Sequence, residues 1–155
     1  MTQGIADPNR LAIVGWSYGG YAALQSGIVA PDLFKSIVAV APVTDLGMLK
    51  AQYDERGNKY LARDFIGSSS DVIENGSPAR QASKISAPVL LFHGAVDGNV
   101  EIEQSREMES RLRAAGKSVR LVTYAELDHG LPDSAARADM LRQSDAFLRE
   151  TMGIK

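Results

Sequence analysis

The sequence predicts an α/β protein in which about four parallel strands are flanked by helices. Short apolar runs alternate with helical segments along the chain, which is typical of a parallel sheet built from βαβ units. The chain has 155 residues, of which 45% are hydrophobic and 23% charged, values that suit one soluble domain with one core. We therefore expect residues 1–155 to form a single minimal domain.

The strands are predicted where short apolar runs lie between turn residues. The first run, Arg10–Val14, is continuous and β-branched enough to be buried on both faces of a sheet. The remaining predicted strands are Ser36–Ala41, Pro88–His93 and Ser118–Tyr124. Proline is acceptable at the first position of a strand, so Pro88 fits the start of the third.

Three segments predict helices, namely Tyr18–Val29, Val100–Ala115 and Ser134–Met152. The first is rich in small residues and can pack close to the sheet, while the second ends before Gly116, a common helix stop. The span 44–87 is the exception, because it is polar and has only scattered apolar residues. We expect one or two short helices there, forming either a solvated crossover or a cover over a site.

The composition of the chain argues against several classes of function. A net charge of −2 without a Lys/Arg run argues against binding to nucleic acid or an anionic membrane. No stretch approaches the roughly 18 apolar residues of a membrane helix, and Met1–Arg10 lacks a signal-peptide core, so a cytoplasmic location is expected by default. With no cysteine and two histidines, thiolate and multi-histidine metal sites are excluded, while a carboxylate-rich site stays open in principle although no D-x-D-x-D-G loop is present. We expect no metal site and no cofactor.

The segment Gly15–Gly19 reads Gly-Trp-Ser-Tyr-Gly and matches G-x-S-x-G between a predicted strand and a predicted helix. Glycine two residues before and after the serine lets strand and helix approach, and the turn thrusts the hydroxyl outward. Ser17 is therefore the candidate nucleophile, and the backbone N–H of Tyr18 is a candidate oxyanion donor. The plain alternative is a tight turn without chemistry.

A serine nucleophile needs a histidine base and a carboxylate that orients it, in the chain order Ser, Asp, His. His129 follows the last predicted strand, where parallel sheets place functional loops, whereas His93 fits local packing better. Asp97 and Asp45 both satisfy the order. Asp97 is favoured because the surrounding glycines suit a turn that presents a carboxylate, and its strand should adjoin the one before His129.

Three aromatic residues, Trp16, Tyr18 and Tyr21, flank the candidate nucleophile. Aromatic residues beside such a turn belong to the core as often as to a pocket. We assign Trp16 to a substrate pocket as a prediction.

The segment Arg10–Tyr21 resembles the nucleophile segment of the prolyl oligopeptidase family, especially its acylaminoacyl-peptidase and dipeptidyl-peptidase branches. The similarity continues in Ala41–Asp45, Ser77–Pro78, Pro88–Gly94, Asp97–Val100 and Leu127–Gly130. The resemblance implies an α/β-hydrolase fold and a triad of Ser17, Asp97 and His129, which leaves Asp45 an outside candidate. Glu101 departs from the family, which usually has proline there, but a carboxylate suits a helix start.

The chain resembles only the C-terminal half of the family's catalytic domain, so we expect a truncated α/β-hydrolase. The family's second oxyanion donor and its peptide-anchoring segments lie outside the matching half. We therefore expect a carboxylesterase for short acyl esters, small molecules cleaved through an acyl-Ser17 intermediate. The alternatives are a serine peptidase, and an inactive interaction module or a fragment that needs the N-terminal half. Because the nucleophile strand would be a sheet edge, we also expect self-association, most simply as a twofold homodimer and otherwise as a higher homo-oligomer.

Overall fold

Four parallel strands form the sheet of the computed structural model, which describes residues 4–5 and 7–155. The strands are β1 (Ala12–Trp16), β2 (Ser36–Val40), β3 (Val89–Gly94) and β4 (Val119–Tyr124). They lie side by side in chain order, so each strand pairs with its successor. The predicted fold class is confirmed. The segment Met1–Arg10, for which the sequence predicts no signal-peptide core, lies partly outside the residues that the structure describes.

The helices alternate with the strands. They are α1 (Tyr18–Val29), α2 (Leu46–Glu55), α3 (Lys59–Ile66), α4 (Ser70–Gly76), a 3₁₀ helix (Pro78–Lys84), α5 (Glu103–Ala114) and α6 (Ser134–Met152). The bounds predicted for α1 and α6 are correct, whereas α5 begins three residues later than predicted. The reason is that the stretch before α5 forms a turn around Asp97, whose carboxylate accepts hydrogen bonds from backbone amides.

Side chains of β2 and β3 alternate between two apolar layers, as the pleat of a strand requires. One layer packs against α1 and α5 and is represented by Ile37, Leu91 and Met108. The other packs against α6 and is represented by Val38, Phe92 and Phe147. Every residue of β2 and β3 is buried, so these strands form the rigid centre of the molecule.

Strand β1 is one edge of this sheet and begins two residues later than predicted. Trp16 still pairs with Val40, so the strand continues to the residue before Ser17. Val14 projects from this edge with 59% of its surface exposed. The twofold dimer predicted across this edge stays a prediction, which sedimentation at micromolar concentration would check.

The segment between β2 and β3 holds more helix than expected, with three α-helices and a 3₁₀ helix instead of one or two short helices. These additional helices are stabilised by tertiary contacts rather than by the helix propensity of their own residues. Asp45 caps α2 by accepting from the Met48 amide at 3.0 Å, and Arg80 in turn donates to Asp45 at 2.7 Å. No helix among the described residues is long and apolar enough to cross a membrane.

Candidate active site

Ser17 lies at the junction of β1 and α1 in an unusual backbone conformation. Its φ of 57° and ψ of −119° are rare for a residue with a side chain. The Ser17 amide donates to the Val40 carbonyl at 2.7 Å, which fixes the turn to the neighbouring strand. A Cβ on Gly15 would lie 2.0 Å from the carbonyl oxygen of Gly19, so the strand and helix approach as closely as the motif predicts.

Ser17, His129 and Asp97 form a continuous chain of hydrogen bonds. Ser17 Oγ lies 2.9 Å from His129 Nε2, and His129 Nδ1 lies 2.7 Å from Asp97 Oδ2. An ionised carboxylate can only accept, so Nδ1 carries the ring proton and Nε2 is left to accept from the serine hydroxyl. The three side chains follow β1, β4 and β3, whose carboxyl ends meet at one edge of the sheet.

The turn after β3 presents Asp97. Its Oδ1 accepts from the amides of Asn99 and Val100 at 2.8 and 3.0 Å, which leaves Oδ2 for His129. The end of α2 also holds this turn, because Gln52 donates to the Asn99 carbonyl at 3.2 Å and Arg56 donates to the Gly98 carbonyl. The Asp97 side chain is therefore immobilised and fully buried.

The loop that carries His129 is held from two sides. The indole Nε1 of Trp16 donates to the His129 carbonyl at 3.1 Å. From α6, Arg137 donates to the carbonyls of Gly130 and Leu131 at 2.9 and 2.8 Å. Trp16 also packs against the core layer below α6. Trp16 is not among the residues that line the apolar pocket described below, and its assignment to a substrate pocket stays a prediction.

The two remaining candidates from the sequence, His93 and Asp45, lie away from Ser17. His93 is fully buried and contacts the Val100 carbonyl and the Ser105 hydroxyl, which fits the predicted local packing. Burial lowers the pKa of His93 below its ordinary value, although the hydrogen bond to Val100 and the proximity of Asp97 oppose this effect.

Asp45 is an N-cap of α2 and an ion-pair partner of Arg80. Burial raises the pKa of Asp45, but hydrogen bonds from Arg80 and the Met48 amide outweigh it, so the net pKa lies below the ordinary value. Of the two candidate acids, Asp97 is the one in contact with His129.

The backbone amide of Tyr18 stays the predicted oxyanion donor. Tyr18 is the first residue of α1, where an N–H has no acceptor within the helix. The positive end of the helix dipole acts at the same point. A negative oxygen formed on a carbonyl attacked by Ser17 would find this donor beside it.

An apolar pocket of about 720 Å³ begins beside the nucleophile at Tyr18. Its lining comes from α1, the loop after β2 and the three central helices: Tyr18, Tyr21, Val43, Leu46, Leu49, Tyr53, Phe65, Ile66, Val72 and Gly76. Sequence reasoning missed most of these residues. The usable signal was the spacing of Leu46, Leu49 and Tyr53, which places three apolar side chains on one face of a helix.

The central segment thus lines a pocket, in keeping with its interpretation as a cover over a site.

Within residues 4–5 and 7–155, no three His, Asp or Glu side chains are grouped closely enough to hold a metal ion.

Comparisons with known proteins agree with this geometry. Dipeptidyl peptidase 4 from Bos taurus is 30% identical over 152 residues, which are 97% of this chain and 20% of that protein. Dipeptidyl peptidase family member 1 from Caenorhabditis elegans is 33% identical over 147 residues, or 94% of this chain and 17% of that protein.

Solved structures give the same result. A puromycin-hydrolyzing peptidase from Mycobacterium tuberculosis superposes with a TM-score of 0.90 and 30% identity, covering 99% of this chain and 24% of that one. Acylaminoacyl peptidase from Pyrococcus horikoshii gives a TM-score of 0.82 and 25% identity, covering 95% of this chain and 25% of that one. The chain thus spans a quarter or less of the length of these relatives.

The sequence model of the prolyl oligopeptidase family matches residues 1–155. The resemblance inferred from the motif segments is confirmed over the whole chain, and the neighbouring structures share its α/β-hydrolase-like fold. This chain belongs to the prolyl oligopeptidase family.

Proposed function

We propose that this chain carries the catalytic centre of a serine peptidase that cleaves an amide bond following an apolar residue. The observation that carries the proposal is the hydrogen-bonded chain Ser17–His129–Asp97 beside an apolar pocket. The relatives support a peptidase rather than the predicted carboxylesterase, because they are named as dipeptidyl, acylaminoacyl and puromycin-hydrolyzing peptidases.

In the first half of the proposed reaction, Ser17 Oγ attacks the substrate carbonyl while His129 Nε2 accepts the hydroxyl proton. Asp97 holds the imidazole in the required tautomer and stabilises the imidazolium that forms. The Tyr18 amide donates to the negative oxygen of the tetrahedral intermediate. His129 then returns the proton to the leaving amine as the C–N bond breaks, and an acyl-Ser17 ester remains.

In the second half, water attacks the acyl-Ser17 carbonyl and His129 takes one of its protons. Collapse of this second tetrahedral intermediate breaks the bond to Ser17 Oγ, which regains its proton from His129. The products are a carboxylic acid and the free enzyme. No cofactor is needed for either half, because each proton moves between His129, the substrate and water.

The substrate class follows from the pocket. Its walls present aromatic and aliphatic side chains from Tyr18, Leu46, Leu49 and Tyr53, so they favour an apolar side chain over a charged one. We place the residue on the acyl side of the scissile bond in this pocket.

The carboxylesterase predicted from the sequence is the second candidate, because the same three side chains hydrolyse esters. The argument in its favour is that we propose a single oxyanion donor at Ser17, the backbone amide of Tyr18. Loss of one donor costs about 3–4 kcal/mol, and an ester, whose leaving group departs more easily than an amine, tolerates that cost better. The small acyl ester substrate therefore remains a proposal alongside the peptide.

The first experiment compares p-nitroanilides of phenylalanine and alanine, free and N-acetylated, with p-nitrophenyl butyrate. A peptidase turns over the phenylalanine anilide, and the acetylated series shows whether a free amino terminus is required. Turnover of the ester alone would favour the carboxylesterase. Ser17→Ala is the control and must abolish all of these activities.

A fluorophosphonate probe tests the nucleophile without a substrate, since it labels an activated serine. Labelling of the wild type at Ser17, identified by mass spectrometry, supports a functional centre in this chain. A folded wild type that is neither labelled nor active would favour the interaction module or a fragment dependent on further sequence.

A second experiment tests the pocket. Leu49→Trp fills the space beside Tyr53, so we expect KM for the phenylalanine anilide to rise about tenfold while the alanine anilide changes by less than about threefold. Leu141→Trp is the matched control, because Leu141 is 64% exposed on α6 and lies outside the lining of this pocket. Equal effects of the two substitutions on both substrates would contradict the assignment of the pocket.

A further inference from the structure

We propose that His93 is a positioning residue that holds the Asp97 carboxylate in place for His129. The inference rests on the proposed function, because the position of Asp97 matters only if Ser17 and His129 carry out the chemistry. His93 makes no contact with Ser17 in the hydrogen-bond network of the site, so it would act through Asp97 alone.

The contacts of His93 fix its tautomer. Nε2 lies 2.9 Å from the Val100 carbonyl, which can only accept, so Nε2 carries the proton. Nδ1 lies 2.7 Å from Ser105 Oγ, whose hydroxyl then donates to the ring. Burial lowers the pKa of His93, which keeps the ring neutral with this arrangement of donors and acceptors.

The protonated Nε2 also lies 3.2 Å from Asp97 Oδ2, the same oxygen that accepts from His129. Asp97 Oδ2 is thus flanked by two imidazoles, while Oδ1 accepts from the Asn99 and Val100 amides. The partial positive charge on the His93 N–H attracts Oδ2 and disfavours rotation of the carboxylate away from His129.

Val100 connects His93 and Asp97 a second time. Its amide donates to Asp97 Oδ1, and its carbonyl accepts from His93 Nε2. Loss of the imidazole N–H would leave the Val100 carbonyl without this donor and loosen the turn that presents Asp97. Packing alone would not require such a group, because a buried polar ring costs free energy unless its hydrogen bonds are made.

Three variants separate positioning from packing. His93→Phe keeps an aromatic ring but removes both nitrogens, and His93→Gln restores an amide N–H near the position of Nε2. Ser105→Ala is the matched control, because it disturbs the opposite side of the same ring and leaves the Nε2 contacts in place. Thermal unfolding establishes which variants are folded at the assay temperature.

The readouts are the rate of fluorophosphonate labelling at Ser17 and the separate values of kcat and KM for the phenylalanine anilide. We expect His93→Phe to lower kcat and the labelling rate about 10- to 100-fold, with KM within about twofold, because Asp97 is displaced while the pocket is intact. His93→Gln should recover at least about a third of both rates, and Ser105→Ala should stay within about threefold of the wild type.

Two results would overturn the inference. One is a folded His93→Phe variant that is labelled at the wild-type rate. The other is a Ser105→Ala variant whose kcat and labelling rate fall as much as those of His93→Phe, which would indicate that the ring of His93 acts through packing. A folded His93→Gln variant that does not recover activity also counts against the inference. A wild type that the probe does not label overturns the proposed function too, so the failures of the two proposals are distinguishable.

Discussion

The indole of Trp16 donates a hydrogen bond to the backbone carbonyl of His129 across the carboxyl ends of the sheet, at 3.1 Å. Trp16 is the last residue of β1 and directly precedes Ser17. The proposed nucleophile and base are thus joined twice, once through their own side chains and once through this bond. We therefore expect the distance from Ser17 Oγ to His129 Nε2 to depend on Trp16, which is not among the residues lining the apolar pocket.

Replacing Trp16 by Phe tests this connection. The variant keeps an aromatic ring in the core layer and removes the N–H donor. One such hydrogen bond is worth about 1 kcal/mol, so we expect fluorophosphonate labelling of Ser17 to slow about fivefold. Labelling at the wild-type rate by a folded Trp16→Phe variant would show that the His129 loop does not need this bond.

The two glycines of the serine turn should respond very differently to substitution. A Cβ on Gly15 would meet the Gly19 carbonyl oxygen at 2.0 Å, whereas a Cβ on Gly19 has no heavy atom within 4 Å. Gly15→Ala must move backbone, so it should lower the free energy of unfolding by about 3 kcal/mol or more. Gly19→Ala lies in α1 and should leave stability unchanged or raise it by up to about 1 kcal/mol.

Chemical denaturation of both glycine variants measures the difference directly. Gly19→Ala serves as the control for the general effect of adding a methyl group to this motif. Equal unfolding free energies for the two variants would contradict the close approach of β1 and α1.

The ion pair of Asp45 and Arg80 should make stability depend on pH. The pKa of Asp45 is lowered in the folded state, so its contribution is present above the unfolded-state pKa of about 4 and is lost as the pH falls through the folded pKa. Arg80→Met removes the partner of a carboxylate that is 9% exposed, and we expect a loss of about 1–3 kcal/mol at pH 7.

Thermal unfolding between pH 7 and pH 2 checks this prediction, because the difference between the wild type and Arg80→Met should shrink below about pH 4. Lys50→Met is the control. It breaks the more exposed Lys50–Asp54 pair on the same helix and should cost less than about 1 kcal/mol. A difference that stays constant down to pH 2 would mean that the ionised Asp45 is not what Arg80 stabilises.

The order of Ser17, Asp97 and His129 was predictable from sequence because it depends on local rules. A strand, a glycine-flanked serine and a helix specify the turn, and parallel strands bring their carboxyl ends to one edge. Asp97 and His129 then meet because β3 and β4 are neighbours. No contact between distant parts of the chain had to be known in advance.

The pocket was not predictable in the same way, because its helices depend on distant partners. The start of α2 is fixed by Gln104, whose side chain accepts from the amides of Thr44 and Asp45 at 2.8 and 2.7 Å. Arg80 adds the ion pair to Asp45. Nothing in the polar composition of the segment reveals these partners. The role of Trp16 was missed for a related reason, since it depends on which sheet face α6 covers.

Arg137 provides the last prediction, because it holds the His129 loop from the opposite side to Trp16. Its guanidinium donates to the carbonyls of Gly130 and Leu131, and Leu131 has a φ of 43°, which is uncommon for a residue with a side chain. Without these bonds we expect the loop to relax and His129 to move away from Ser17.

We therefore expect Arg137→Gln to slow Ser17 labelling about tenfold while lowering the free energy of unfolding by only about 1 kcal/mol. Arg142→Gln is the matched control on α6, because Arg142 is 71% exposed and its nearest carboxylate oxygen lies 3.7 Å away. The two variants change charge equally, so a difference in labelling isolates the contacts to the loop. Equal labelling rates would show that Trp16 and the Asp97 bond suffice to place His129.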